Sequence, residues 1–393
     1  MFDVTASVKL REGEDRRLRD GHLWIYSNEI DSIEGWPEDG DVVVVKDAGG
    51  RRIGTGFINR ASKIAVRLLT RGSKEGFTED VFSARLGAAV ARRGHLEAGA
   101  LRLVNAEGDL LPGLVVDKYG DVVVVQTHIV GWERRRDLVV SAIDSHLRPR
   151  AVVLKNDSLA RGAEGLERYA ALAGGRLDEN PVIAESGCEI EVDVLGGQKT
   201  GFYIDQRENR NLVLPHVRGK RVLDAFCYTG AWSVMCAKAG ASEVMGMDAS
   251  DDALALGGRI AERNGVKEVV RFTRGDVFDE LPRLAGEKVK FDVVILDPPS
   301  LAKTKRALSG AERGYVHLNK LALGLLSPGG FLLTCSCSHH VTADRFRAML
   351  QTAASLARKQ VAVLATGGQP EDHPSLLGLP ETDYLKCLLL AVY

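Results

Sequence analysis

The chain has 393 residues, of which 45% are hydrophobic and 27% charged, and a formal net charge of −1. That length supports two or three domains with substantial cores, and the composition is that of a soluble globular protein rather than a disordered or fibrous one. A near-neutral total argues against a chain that is basic throughout, although a basic patch can sit within it. The longest apolar runs, such as Val42–Val45 and Val122–Val125, are strand-sized and too short to span a membrane. The opening "MFDVTASVKLREGEDRRLRD" has no apolar signal core, so a reducing cytoplasm is expected. That lowers the expectation of disulfides among the six cysteines.

From residue 1 to about 74 the pattern is one of short strands and turns. "GDVVVVKDAGGRRIGTGFIN" alternates β-formers with Gly-rich turns, and "KIAVRLLT" adds another strand, which together predict a small β-barrel. Arg16, Arg17, Arg19, Arg51 and Arg52 could form a basic patch here, but such runs usually make a solvated face. Residues 75–185 mix helix and strand. "FSARLGAAVARRGHL" has helical periodicity, "LPGLVVDKYGDVVVVQTH" reads as a hairpin turning at Tyr119–Gly120–Asp121, and "ERRRDLVVSAIDSHL" returns to helix. The stretch "AGGRLDENP" marks a boundary.

Over 186–393 strands alternate with helices. The strands are "RVLDAF", "SEVMGMD", "VVRFTRGD", "FDVVILD" and "GGFLLTCSCS", separated by "AWSVMCAKAG", "DDALALGGRIAERNG" and "RGYVHLNKLALGLL". This alternation predicts an α/β domain whose parallel sheet is covered on both faces.

Ligands of such sheets bind beyond the C-terminal strand ends. The first strand ends at Asp224 in "DAFCYTG", with Gly230 opening the next helix. The second ends in Asp248, the third in Asp276, the fourth in "DPPS" (297–300) and the fifth in "TCSCS". An acidic residue after the second strand suits the paired hydroxyls of a ribose, and Asp276 suits an adenine amine. A dinucleotide pyrophosphate needs the full G-x-G-x-x-G turn, whose middle glycines are here Cys227 and Tyr228. The set therefore points to an adenosine bearing an amino acid, S-adenosylmethionine (SAM). Taken singly, Asp224 or Asp276 reads as a helix cap or turn residue. Asp297 is harder to explain that way, because the two prolines after it fix the backbone at a sheet edge.

Side chains two apart on a strand share a face, so Cys335 and Cys337 point the same way about 6–7 Å apart. Cys337 lies nearer the strand end, where the crevice is, and is the better placed nucleophile. Cys188, Cys227, Cys236 and Cys387 read as inert core thiols. Zinc binding by Cys335, Cys337, His339 and His340 is conceivable, but C-x-C-x-H-H lacks the usual ligand spacing, so no metal is expected. The two histidines read as the start of a loop.

These motifs together resemble the class I SAM-dependent RNA methyltransferases that carry an N-terminal PUA domain, whose bacterial members include 23S rRNA cytosine-C5 methyltransferases. The likeness runs through "GHLWIYSNEI" (21–30), "VNAEGDLLPGLVVDKYGDVVVVQ" (104–126), "QKTGFYIDQRENR" (198–210), "DAFCYTG", "DPPS", "TCSCS" and "DHPSLLGLPETDYLK" (372–386). It implies a PUA β-barrel over 1–74, a central α/β domain over 75–185 and a Rossmann-like methyltransferase domain over 186–393. It further implies that Gln206, Arg207 and Arg210, with Asp224, Phe226, Gly230, Asp248 and Asp276, surround SAM. The first two domains are expected to help hold RNA, either 23S rRNA or an assembling large subunit, with a homodimer compatible and no membrane partner.

Carbon 5 of cytosine is a poor nucleophile, and a thiolate adding to carbon 6 activates it. The resemblance assigns that thiolate to Cys337, in agreement with its place on the strand. Many RNA cytosine-C5 methyltransferases have a second cysteine before the paired prolines. This chain has Asp297 there, as in the single-cysteine PUA-type branch, which implies that Asp297 orients the base and stabilises its protonated ring nitrogen. The group that removes the carbon-5 proton is left open. Methylation of a guanine ring nitrogen or an exocyclic base nitrogen, or a non-catalytic RNA-binding module, are the competing readings. Ser300 stands where exocyclic-nitrogen enzymes often place an aromatic residue.

Overall fold

The computed structural model describes residues 2–72, 76–302 and 307–393. The expected boundary at residues 74 and 75 lies outside them. By contacts the chain forms two compact units, each made of three segments. The first comprises Met1–Pro181, Val192–Ile204 and Glu371–Thr382, and the second Val182–Glu191, Asp205–Pro370 and Asp383–Tyr393. Among the described residues no helix is long and apolar enough to cross a membrane.

The first unit holds a six-stranded and a five-stranded sheet. In the six-stranded sheet Val4–Leu10 runs parallel to Val42–Lys46, and Trp24–Tyr26 and Ile30–Glu34 form its edges. The five-stranded sheet contains the hairpin Leu114–Tyr119 and Val122–Thr127, which turns through Gly120 at φ +58°. Trp132 is fully buried at the centre of this unit's core. The rings of Phe57 and Phe82 each lie 5.1 Å from it, with Phe2 and Phe77 next outward. A buried ion network lies nearby. Arg93 donates two hydrogen bonds to Asp109 at 2.8 Å each and a third to the Asp372 carbonyl at 2.8 Å, tying the segment around residue 372 into the unit.

The second unit is built on a seven-stranded sheet. Its strands in chain order are β1 (Arg221–Ala225), β2 (Glu243–Asp248), β3 (Val270–Arg274), β4 (Phe291–Leu296), β5 (Leu326–Ser336), β6 (Val361–Gly367) and β7 (Lys386–Val392). Their spatial order is β3-β2-β1-β4-β5-β7-β6. The first five are parallel, as their apolar runs require: β4 reads Phe-Asp-Val-Val-Ile-Leu and is buried at every position but Asp292. β7 enters between β5 and β6 antiparallel to both, so the sheet is mixed rather than wholly parallel. This departure follows from the chain end folding back beside β5, which strand-helix alternation does not signal.

Helices α1 (Arg207–Val213), α2 (Ala231–Lys238), α3 (Asp251–Arg263), α4 (Val277–Gly286), α5 (Leu308–Leu325) and α6 (Ala343–Leu356) complete this unit. Tyr315, Leu318 and Ala322 of α5 and Phe346 and Ala353 of α6 share one core with Val294, Leu296 and Leu332 of the sheet. Residues 231–237 of α2 are all buried, so this helix is apolar all round. Its cap, Gly230, has φ +73°, and a Cβ there would sit 2.3 Å from the Phe272 ring of β3. Only glycine suits both the backbone and the contact.

Candidate active site

The strand ends of the second unit converge on one polar cluster. Asp224, fully buried at the end of β1, accepts a hydrogen bond from Ser233 Oγ at 2.6 Å. Its other oxygen, Oδ1, is buried without a hydrogen-bond partner among the described residues. Asp297, half-buried beyond β4, accepts from Gln206 Nε2 at 2.8 Å and also from Trp232. Gln206 is itself fixed, since its Oε1 accepts from Asn209 Nδ2 at 2.6 Å.

Burial pushes both carboxyl groups up to about 7. For Asp297 the next cause is the charge of Asp205, opposed by Trp232, Arg210 and Gln206. For Asp224 the Ser233 hydroxyl favours the ionised form, while Asp297 and Asp248 oppose it. Like charges gathered in a buried site cost free energy unless a cation joins them.

The loop between β1 and α2 is unusual in backbone as well as charge. Phe226 at φ +65° and Tyr228 at φ +49° are bulky residues in the left-handed region, and Gly230 follows. Such strain persists only where surrounding bonds impose it. Cys227 N donates to the Met247 carbonyl at 2.9 Å, and Tyr228 N donates to Asp248 Oδ2 at 2.9 Å. Asp248 Oδ1 accepts from Ser250 N at 3.0 Å, so this carboxylate organises the loop with one lone pair of each oxygen. Asp276 caps α4 through Phe278 N at 2.9 Å and is exposed.

Gln206, Asn209 and Arg210 of the α1 region are buried, and Gln206 meets the half-buried Asp297. Arg210 donates to Glu185 Oε1 at 2.5 Å and lies 6.0 Å from the Trp232 ring centre. Arg207 is also buried, with its Nε on Glu208 at 3.2 Å.

Cys337 stands one residue past the end of β5. It is half-buried, whereas the other five cysteines are buried. Its Sγ lies 3.9 Å from the Pro298 carbonyl, which brings "TCSCS" against "DPPS". Hydroxyl groups brace this contact: Ser338 Oγ lies 3.1 Å from Ser300 Oγ and 3.0 Å from Tyr315 OH, and Ser336 Oγ donates to Tyr315 OH at 3.0 Å. Cys335 is fully buried against Gln206 and opposite Cys387, and burial pushes its thiol well up. His339 and His340 fall in a turn, the His339 ring 5.4 Å from that of Tyr384.

Several residues at the cluster escape a reading of the chain by motif. Trp232 is an apolar helix residue in sequence, yet it donates to Asp297. Tyr384 OH donates to Asp205 Oδ2 at 2.7 Å, and Lys386 is buried beside Cys337. Both belong to the "TDYLK" end of the last quoted motif, which was the available signal. Of the candidate basic patch in the first unit, Arg17 pairs with Glu29, Arg19 with Asp15 and Asp47, and Arg51 with Asp47. Local acids thus offset much of its charge.

The strand order, the acidic strand ends and the carboxylate-rich cluster define an S-adenosylmethionine-dependent methyltransferase. The unpartnered Asp224 oxygen and the elevated carboxyl groups fit a ligand with cationic ammonium and sulfonium groups. Comparison with known proteins agrees. Residues 8–71 match a PUA-like domain model, and residues 166–374 match an S-adenosylmethionine-dependent methyltransferase model. "Ribosomal RNA large subunit methyltransferase I" of Shewanella denitrificans is 39% identical over 99% of this chain and 100% of its own length. The protein of the same name from Photobacterium profundum is 39% identical over 98% of each chain. A methyltransferase solved with SAH has the same fold, with a TM-score of 0.84 at 23% identity over 99% of this chain and 100% of its own. The chain belongs to the ribosomal RNA large subunit methyltransferase I family.

Proposed function

We propose that this enzyme forms 5-methylcytosine in large-subunit ribosomal RNA through a covalent adduct on Cys337. The observation that carries the reading is the half-buried Cys337 Sγ against the Pro298 carbonyl, beside the fixed carboxyl of Asp297. The name of the relatives supports ribosomal RNA as the substrate class. The PUA-like match over residues 8–71 supports RNA binding by the N-terminal domain, residues 1–74; in this reading the central domain, 75–185, assists it.

SAM supplies an electrophilic methyl group. In this reading Asp224, Gln206 and Arg207 hold its amino-acid end. Phe226 and Gly230 shape the loop beneath the adenosine, Asp248 takes the ribose and Asp276 the adenine amine, and Arg210 holds α1 in place through Glu185. The target cytosine leaves its stack to enter the site, as in other enzymes that act on a base. Cys337 adds as thiolate to carbon 6, forming the S–C6 bond and moving the C5–C6 π pair toward carbon 5, which takes the methyl group. Loss of the carbon-5 proton to a base leaves the C5–H pair as the restored C5–C6 double bond, and the thiolate departs with the S–C6 pair. Asp297, ionised, accepts a hydrogen bond from the ring nitrogen once that nitrogen has taken a proton from solvent, and so stabilises the positive charge that makes carbon 6 electrophilic.

The test is trapping with rRNA containing 5-fluorocytosine, in which the carbon-5 proton is replaced and the adduct cannot resolve. Incubation with tritiated SAM is expected to give a labelled protein–RNA adduct in wild type and Cys335→Ala, and none in Cys337→Ala. Undiminished methylation by Cys337→Ala overturns the mechanism and favours methylation of a base nitrogen.

A further inference from the structure

Lys386 is a lysine in an uncommon place. It opens β7, directly opposite Ser336 in the antiparallel pairing with β5, and is only 9% exposed. Lysine is almost never buried this far unless paired. Yet its Nζ donates to two backbone carbonyls, Ser338 at 2.8 Å and Tyr384 at 2.6 Å. Ser338 is the residue after Cys337, so the ammonium grips the chain at the candidate nucleophile. Two neutral acceptors do not balance a desolvated positive charge.

We propose that Lys386 is a positioning residue that holds Cys337 in its thiolate form and braces the Cys337–Ser338 backbone. The inference rests on the nucleophilic reading of Cys337 for its purpose, but not for its test. The groups around the ammonium support it. Cys337 is the strongest charge partner and Asp383 a weaker one, while burial brings the lysine down to about 8. Tyr315 of α5 bonds to Ser336 and Ser338 from behind. Tyr384, at the entry to β7, is turned to Asp205, and its ring meets that of His339. Among these groups the thiol of Cys337 is the one whose ionisation the ammonium most strongly favours. An ammonium near a thiol favours loss of the S–H proton, which passes to bulk water; no bond forms to the lysine. At neutral pH the lysine is mostly charged, so the ammonium is in place beside Cys337 before substrate arrives.

The experiment is the pH dependence of iodoacetamide alkylation at Cys337, read by mass spectrometry on the intact full-length chain. Wild type, Lys386→Met and Lys386→Arg are compared, with Cys337→Ala as the blank. In wild type the midpoint is expected below that of an ordinary thiol, about 8.5. Lys386→Met is expected to raise it by about one unit, slowing alkylation at pH 7 about tenfold, and Lys386→Arg to restore most of the rate. A wild-type midpoint at or above the ordinary value overturns the proposal, even if Lys386→Met fails to fold. Equal midpoints in wild type and folded Lys386→Met overturn it as well. The two readings fail separately: an adduct on Cys337 with no alkylation shift removes the lysine's role alone. A shift without an adduct leaves the electrostatic pairing and removes the nucleophile.

Discussion

Gln206 and Asp297, 91 positions apart in sequence, are joined by a 2.8 Å hydrogen bond from the amide nitrogen to the carboxylate. The bond stabilises the ionised form of a group that burial holds near 7. Gln206→Leu removes that donor, so the Asp297 carboxyl is expected to titrate higher still. Methylation at saturating SAM and RNA should then lose about tenfold at pH 6.5, the scale of one hydrogen bond to a charged group, and less at pH 8.5. An unchanged pH–rate profile in the variant would separate Asp297 from the chemistry.

Asp224 makes ligand-free stability pH-dependent in an unusual direction. Its folded value of about 7 exceeds the unfolded value of about 3.9. Between these values the folded state keeps a proton that the unfolded state gives up, so this group's contribution falls as pH rises from about 4 to 7. Asp224→Asn, which cannot ionise, should raise the thermal midpoint more at pH 8 than at pH 5. The expected difference is at least about 2 °C by calorimetry without SAM.

The same carboxyl groups tie cofactor binding to protons. A cationic ligand favours ionised Asp224 and Asp297, so SAM binding at pH 6.5 should release protons. Titration calorimetry in buffers of different ionisation enthalpy measures that release directly, and it should fade in Asp224→Asn and above pH 8. Binding that takes up protons, or is indifferent to pH from 6 to 8, would contradict the assignment.

At Gly230 the backbone and a neighbouring ring both exclude a side chain. Gly230→Ala is expected to cost about 1–3 kcal/mol, read from urea unfolding. Phe272→Leu in the same chain should recover only the part due to the ring, leaving the cost of φ +73°. Full recovery would mean that the backbone is not strained.

In the first unit, Asp109 is fully buried and accepts from Arg92, Arg93 and the Asn105 backbone. Asp109→Ala leaves the Arg93 guanidinium buried without its partner, a loss of about 3–5 kcal/mol. Chemical denaturation of this variant should show it, whereas Asp121→Ala, which breaks the surface pair with Arg150, should cost less than about 1 kcal/mol.

Much of the second unit was legible because its information is local. Five apolar runs, each ending in an acidic residue or a cysteine, mark parallel strands and their crevice, and distance from the end of β5 separates Cys337 from Cys335 on their shared face. What was not legible depends on contacts across long separations. No local pattern announces that the final strand inserts antiparallel beside β5, and without that insertion Lys386 has no reason to meet Cys337. Trp232 reads as an apolar helix residue, and Gln206 as one of the residues the resemblance sets around SAM, until the fold puts both on one carboxylate. Asp276 shows the opposite case, since its capping of α4 is the ordinary role its residue type suggests.

The division of the chain into interleaved segments bears on how the protein is made. Glu371–Thr382 belongs to the first unit, and the internal strand β7 is Lys386–Val392. Neither unit is therefore complete before residues 371–392 have left the ribosome, so the first unit does not finish folding ahead of the second. Until that point the nascent protein carries both units incomplete, with the edge of β5 open until β7 emerges to close it.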